Sequence, residues 1–110
     1  YMAYQNIYMT LLYADDAVKL FINEYKKRPE FSNTIFVITG DHRLPEVPMS
    51  SRIDRFHVPL IIYSPLLKRR DYFKGLSSHY EITPSLLAFL EKNAGIKLPE
   101  EVTWQGQVLD

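Results

Sequence analysis

The sequence contains no cysteine among its 110 residues, which excludes disulfide bonds and thiolate metal ligands. Acidic and basic residues balance at 13 each, so no field of one sign favours nucleic acid or an anionic membrane surface as a partner. No apolar run approaches the roughly 18 residues that span a bilayer, and we expect no secretory leader in these residues. The chain begins with tyrosine, and we expect it to be a piece of a longer protein.

The chain does contain an apolar, β-branched run that ends at two side chains able to bind a metal. Residues 34–39 predict a strand buried on both faces, as in sheets covered by helices. Gly40 ends the run, and Asp41 and His42 follow it. Open α/β sheets bind ligands at the carboxyl ends of their strands, and an oxygen ligand beside a nitrogen ligand is half of a divalent-metal site. The alternative is that Asp41 only caps the turn.

The order of predicted elements is helix, strand, strand, helix. Apolar residues at helical spacing predict a helix over residues 4–27, and apolar runs predict strands at 34–39 and 58–63. Thr83–Pro84 is typical of a helix start and Gly95 of a helix end, which predicts a second helix over 83–94. Residues 40–56 form a long irregular connection, which is typical of a functional loop. Two buried strands alone do not form a stable sheet. We therefore predict an α/β chain that is a fragment of a helix-covered, mainly parallel sheet, with two core strands and two main helices.

Other polar residues at the ends of elements are candidates for the same site. His57 directly precedes the second strand and His79 lies just before the last helix, although each could serve only to order its own loop. The planar guanidinium of Arg43 suits phosphate or sulfate oxygens, and pairing with Glu46 is the alternative.

Several ordered segments together resemble the alkaline phosphatase superfamily, in its sulfatase and lipoteichoic acid synthase-like branch. Residues 33–42, which end in Thr-Gly-Asp-His, resemble the strand that supplies two metal ligands in that family. Residues 57–65 resemble its Val-Pro-Leu-Ile-Ile strand, and residues 78–87 resemble the start of a late helix. Residues 104–110 resemble the Trp-x-Gly tail of the lipoteichoic acid synthase-like proteins, and residues 13–16 match a helix ahead of the metal strand.

The resemblance implies an alkaline phosphatase-like catalytic domain that cleaves or transfers phosphate or sulfate esters. Asp41 and His42 fall on the metal ligands of the family, and His79 is a further candidate ligand. Arg43 and His57 are the candidates for substrate binding. The implied cofactor is a divalent metal, which the sequence does not distinguish among zinc, manganese, magnesium and calcium. The resemblance also suggests a cell-envelope location, with membrane contact only through an anchor on the parent protein.

The sequence also departs from the family pattern. Arg43 replaces the glycine that usually follows Asp-His, and Glu81 stands where aspartate is more common. No Cys/Ser-x-Pro-x-Arg sequence, the formylglycine signature, occurs in the chain. We therefore expect residues 1–110 to be the carboxyl-terminal portion of the catalytic domain, with the nucleophile in an absent amino-terminal half that is its main partner. On this view the parent is an enzyme and the fragment alone is inactive; a non-catalytic scaffold or binding module is the alternative.

Overall fold

The computed structural model describes residues 4–45, 47–101 and 103–109. Its main elements are two helices and two strands: α1 (Gln5–Tyr25), β1 (Phe36–Thr39), β2 (Leu60–Tyr63) and α2 (Ile82–Ala94). Short 3₁₀ helices lie at Pro29–Asn33, Ile53–Phe56 and His79–Glu81. The chain divides into two compact units, Tyr1–Arg70 and Asp71–Asp110. The predicted α/β class, with two strands and two main helices, is confirmed.

The two strands pair in the antiparallel direction. Phe36 lies opposite Tyr63 and Thr39 lies opposite Leu60. We predicted a mainly parallel sheet, and the antiparallel direction of this pair differs from that prediction. Parallel neighbours need a crossover connection, usually a helix, whereas the connection between β1 and β2 contains only the one-turn helix Ile53–Phe56. Single antiparallel pairs also occur within sheets that are otherwise parallel.

An aromatic cluster packs α1 onto the two strands, with Phe36 of β1 at its centre. The Phe36 ring lies edge-on to Tyr25, with centroids 5.2 Å apart, and stacks on Tyr63 at 5.9 Å. Phe21 and Phe31 add rings at 6.3 and 6.2 Å from Phe36. Edge-to-face and offset pairs at these distances add to the stabilisation from apolar burial. The cluster therefore connects the helix, the following 3₁₀ turn and both strands.

Ser64 closes the sheet at the end opposite to Asp41. This residue is buried, and its Oγ donates a hydrogen bond to the Thr34 carbonyl at 2.6 Å. The same oxygen accepts the Leu66 N–H at 3.1 Å. Thr34 precedes β1 and Ser64 follows β2, so this hydroxyl links the start of one strand to the end of the other.

Much of the apolar surface of the first unit faces solvent. Leu12, Tyr13 and Leu20 on α1 are 60%, 78% and 64% exposed. We predicted strands buried on both faces, but Ile61 and Ile62 of β2 are exposed. Apart from Pro84, no apolar side chain in the described part of the chain is fully buried. Neither described helix is long and apolar enough to cross a membrane.

The second helix begins earlier than the sequence predicted. Ser78 Oγ accepts the Tyr80 N–H, and the Glu81 carboxylate accepts both the N–H and the hydroxyl of Ser78. This capping box starts the 3₁₀ turn His79–Glu81, which continues directly into α2. The capping box binds the N–H groups of Ser78 and Tyr80, ahead of Thr83 in the chain. Thr83 is therefore not the start of the helix that we predicted. Gly95 ends α2 in the left-handed conformation, at φ +65°, as predicted.

The tail folds back onto the start of α2. Leu109 N–H donates to Ser85 Oγ at 2.8 Å, and that hydroxyl donates to the Glu81 carbonyl at 2.6 Å. A Cβ at Gly106 would overlap the Tyr80 carbonyl, so only glycine fits this close approach. Trp104 is half-buried, and the hydrogen bond and close backbone contact that hold the tail lie after it in the chain.

We predict that Phe36→Ala destabilises the first unit by about 2 kcal/mol, less than for a fully buried phenylalanine. The substitution removes the ring that contacts four other aromatic side chains. Urea unfolding of the intact protein measures the loss. Phe56→Ala is the control because Phe56 is 84% exposed, and it should cost under about 0.5 kcal/mol. Equal losses in the two variants would contradict the central role of Phe36.

We also predict that Ser78→Ala raises the pKa of Glu81 toward its ordinary value of 4.5. The Ser78 hydroxyl, followed by the Ser78 backbone N–H, holds that pKa below the ordinary value. A carboxyl group whose pKa is lowered on folding stabilises the folded state at pH values above its ordinary pKa. This stabilisation is lost as the pH falls through the lower pKa of the folded state. The variant should therefore lose less stability on acidification. Carboxyl ¹³C titration checks the shift against Ser77→Ala, which should leave Glu81 unchanged.

Candidate functional site

The antiparallel pairing brings three of the predicted site residues to one end of the sheet. β1 ends at Thr39, opposite Leu60 at the start of β2. Asp41 and His42 follow β1 and His57 precedes β2, so all three lie beyond the same end of the strand pair. His42 lies three residues beyond Thr39, and His57 lies three residues before its partner Leu60. In a parallel pair, His57 would lie at the other end.

Gly40 allows the two chain segments to approach each other just before Asp41. A Cβ at this position would lie 3.2 Å from Cβ and 3.3 Å from Cγ1 of Val58. Those separations are shorter than an ordinary carbon–carbon contact, so a larger residue would push the segments apart. The glycine that ends the apolar run in the sequence therefore serves close packing at the site.

Asp41 and His42 form a connected pair of exposed side chains. Asp41 Oδ1 accepts the backbone N–H of His42 at 2.9 Å. On the other side of the carboxylate, Oδ2 lies 3.6 Å from His42 Nε2. His42 Nδ1 lies 2.6 Å from the Arg43 carbonyl oxygen. A carbonyl can only accept, so Nδ1 carries the hydrogen, and in the neutral ring Nε2 keeps its lone pair.

These donor atoms fit one divalent ion. Two ligand atoms that bind an ion at about 2.1 Å with a tetrahedral angle lie about 3.4 Å apart, close to the 3.6 Å between Oδ2 and Nε2. A metal-binding histidine usually donates its other ring N–H to a carbonyl or carboxylate, as His42 does here. Across residues 4–45, 47–101 and 103–109, no group of three or more His, Asp or Glu side chains could hold a metal. The pair would therefore supply two of the four ligands of a typical site.

Arg43, predicted to bind a substrate anion, directs one guanidinium nitrogen to its own loop. Its Nη1 donates to the carbonyls of Leu44, Pro45 and Val47 at 3.0, 3.1 and 3.3 Å. Glu46, the alternative partner, lies outside the described residues. The substrate role of Arg43 stays a prediction.

His57 lies at the end of a turn organised by Asp54, which the sequence analysis did not single out. The Asp54 carboxylate accepts the Ser50 hydroxyl at 2.8 Å and the Ser51 N–H at 3.0 Å. Ser51 Oγ in turn accepts the Asp54 N–H at 3.2 Å. The Ser50 and Ser51 hydroxyls hold the pKa of Asp54 below its ordinary value, and the nearby charge of His57 adds to that shift. The serine three residues before an acid is the sequence signal that indicates such a turn.

His79, the further candidate ligand, lies in the second unit. It begins the 3₁₀ turn His79–Glu81, between the two residues of the capping box. Glu81, which replaces the aspartate more common in the family, contributes its carboxylate to that box. The predicted metal role of His79 stays a prediction, as does substrate binding by His57.

Comparison with protein families gives a match for most of the chain. The family model described as Sulfatase matches residues 2–92. This stretch includes both strands, α2 up to residue 92, and all the candidate site residues; residues 93–110 lie beyond it. No curated protein and no solved structure matches the chain. Because the match covers most of the sequence, the chain belongs to the sulfatase family of the alkaline phosphatase superfamily.

Proposed function

We propose that this chain supplies part of the metal centre of an enzyme that hydrolyses or transfers phosphoric or sulfuric esters. Asp41 and His42 are the proposed ligands. The observation that carries the proposal is the 3.6 Å separation of Asp41 Oδ2 and His42 Nε2, in a pair whose ring tautomer leaves the Nε2 lone pair available. Both side chains are well exposed, at 89% and 70%, so they contribute little to packing.

The chemistry follows from the charge and placement of these groups. A bound divalent ion would stabilise the negative charge that develops on the ester oxygens and would lower the pKa of the nucleophile. Asp41 would supply a carboxylate oxygen and His42 an imidazole nitrogen, and both lie at the start of the connection, two and three residues after β1. His57, beyond the same end of the sheet, is proposed to contact the substrate oxygens.

We propose that the nucleophile and the remaining metal ligands come from an amino-terminal half of the catalytic domain outside these 110 residues. The absence of a formylglycine signature from the sequence agrees with this. The apolar surface of α1, with Leu12, Tyr13 and Leu20 exposed, is well suited to be covered by that half. Residues 1–110 would then be the carboxyl-terminal portion of the domain.

Within the family we favour the phosphoglycerol-transferase-like, lipoteichoic acid synthase-like branch over the sulfatases proper. The Gly40-Asp41-His42 segment and the Trp-x-Gly tail at 104–110 support this choice. In the structure Gly106 of that tail lies so close to the backbone of Tyr80 that a side chain would not fit, so the motif needs a glycine at this position. The branch also suggests action in the cell envelope, through a membrane anchor on the parent protein.

A non-catalytic scaffold or binding module is the second candidate. It is favoured by the absence, within the part of the chain that the structure describes, of a third His, Asp or Glu beside Asp41 and His42. One feature of the parent protein distinguishes the two candidates. The enzyme requires a Thr, Ser or Cys nucleophile at a helix start upstream of this chain, and the scaffold does not.

We predict that Asp41→Asn or His42→Gln in the intact protein lowers metal affinity at least about 100-fold, because each removes one ligand. The fold should be retained, since both side chains are exposed. Metal content after dialysis and titration calorimetry with Mn²⁺ and Zn²⁺ measure the effect. Asp15→Asn, an exposed acid on α1, is the matched control. Full metal content and activity in Asp41→Asn would refute the assignment.

We predict that the isolated 110-residue chain does not turn over ester substrates. With two ligands and no nucleophile of the family, it should show no metal-dependent hydrolysis of 4-nitrophenyl phosphate, bis(4-nitrophenyl) phosphate or 4-nitrophenyl sulfate. The assay adds zinc, manganese, magnesium or calcium in turn. Turnover that disappears in Asp41→Ala would show that the fragment is sufficient for catalysis and would overturn this prediction.

A further inference from the structure

The guanidinium of Arg43 folds forward over the loop that follows the proposed ligands. A single nitrogen, Nη1, donates to the carbonyl oxygens of Leu44, Pro45 and Val47. The Val47 N–H closes the same turn by donating to the Leu44 carbonyl at 3.3 Å. Arg43 is half-buried against this turn. The side chain therefore holds three peptide groups of one short segment in fixed directions.

His42 depends on the same segment. Its Nδ1 lies 2.6 Å from the Arg43 carbonyl oxygen, a group that can only accept a hydrogen bond. That carbonyl belongs to the peptide between Arg43 and Leu44, directly before the carbonyls that Nη1 contacts. The ψ torsion of Arg43 sets the direction of this carbonyl. A change in that torsion would turn the acceptor away from His42 and would also move the following carbonyls relative to the Arg43 guanidinium that binds them. The orientation of the acceptor is therefore coupled to the Arg43 side chain.

We infer that Arg43 is a positioning residue for His42: by binding the carbonyls of Leu44, Pro45 and Val47, its guanidinium fixes the direction of the Arg43 carbonyl, which keeps the hydrogen on Nδ1. Nε2 then presents its lone pair beside Asp41 Oδ2. The inference rests on the proposed function for the identity of the bound group as a metal ion. It gives Arg43 a role through His42, in place of the direct contact with a substrate anion that the sequence predicted.

The test uses Arg43→Met in the intact protein, because methionine keeps a long unbranched stem but has no hydrogen-bond donor. The ¹⁵N shifts of the His42 imidazole, assigned with His42→Gln, report the tautomer of the neutral ring. We expect the Nδ1–H tautomer in the wild type and a clear increase of the Nε2–H tautomer in Arg43→Met. The Kd for Mn²⁺ should rise about tenfold, as expected when a partner that orients a metal-binding histidine is lost.

Two further variants complete the test. Arg52→Met changes an exposed arginine of the same connection and should alter neither tautomer nor Kd. If Arg43→Met does not fold, Arg43→Lys replaces it: the ammonium ends one atom short of the Nη1 position, so we expect the same shift with smaller amplitude.

An unchanged tautomer in the folded Arg43 variant overturns the inference, whatever the metal affinity. An unchanged Kd for Mn²⁺, together with a raised KM for the ester at saturating metal, also overturns it and assigns Arg43 to the substrate. A wild-type protein that binds no Mn²⁺, Zn²⁺, Mg²⁺ or Ca²⁺ refutes the proposed function instead. The tautomer comparison still decides the role of Arg43 in that case, so the two failures are distinguishable.

Discussion

The antiparallel register of β1 and β2 is the constraint on which the rest of the site depends. It sets the carboxyl end of one strand beside the amino end of the other, so that Asp41 and His42 share an end of the sheet with His57. A slip by one residue would turn every side chain of a strand to the opposite face. The stacked pair of Phe36 and Tyr63 opposes such a slip, because the rings lie directly opposite each other in the ladder.

The groups at the site are held mainly through the backbone. Asp41 accepts the main-chain N–H of His42, and His42 donates to the main-chain carbonyl of Arg43. The guanidinium of Arg43 likewise donates to main-chain oxygens. Such an arrangement orients the carboxylate and imidazole atoms of Asp41 and His42 without burying them, so they stay accessible from solvent. Both residues lie within the stretch that the sulfatase family model matches.

The sequence predicted the features that depend on local composition. The apolar runs placed both strands within two residues of their observed starts, and Gly95 correctly marked the end of α2. Strand direction depends on pairing between segments far apart in the chain, and no local pattern encodes it. The Thr83–Pro84 pair was misleading because Ser78 and Glu81 form a capping box one turn earlier. The role of Asp54 was missed because it depends on hydrogen bonds within a loop that has no periodicity.

The hydroxyl of Ser64 gives the strand pair two unequal ends. At that end, one buried oxygen binds both flanking segments, whereas the end next to Gly40 leads into a long connection of loop and one short turn. Local opening of a ladder starts where fewest bonds hold it. Thermal fraying should therefore begin beside Asp41 and advance toward Ser64, so that the part of the sheet nearest the proposed ligands is also the part most free to adjust its shape.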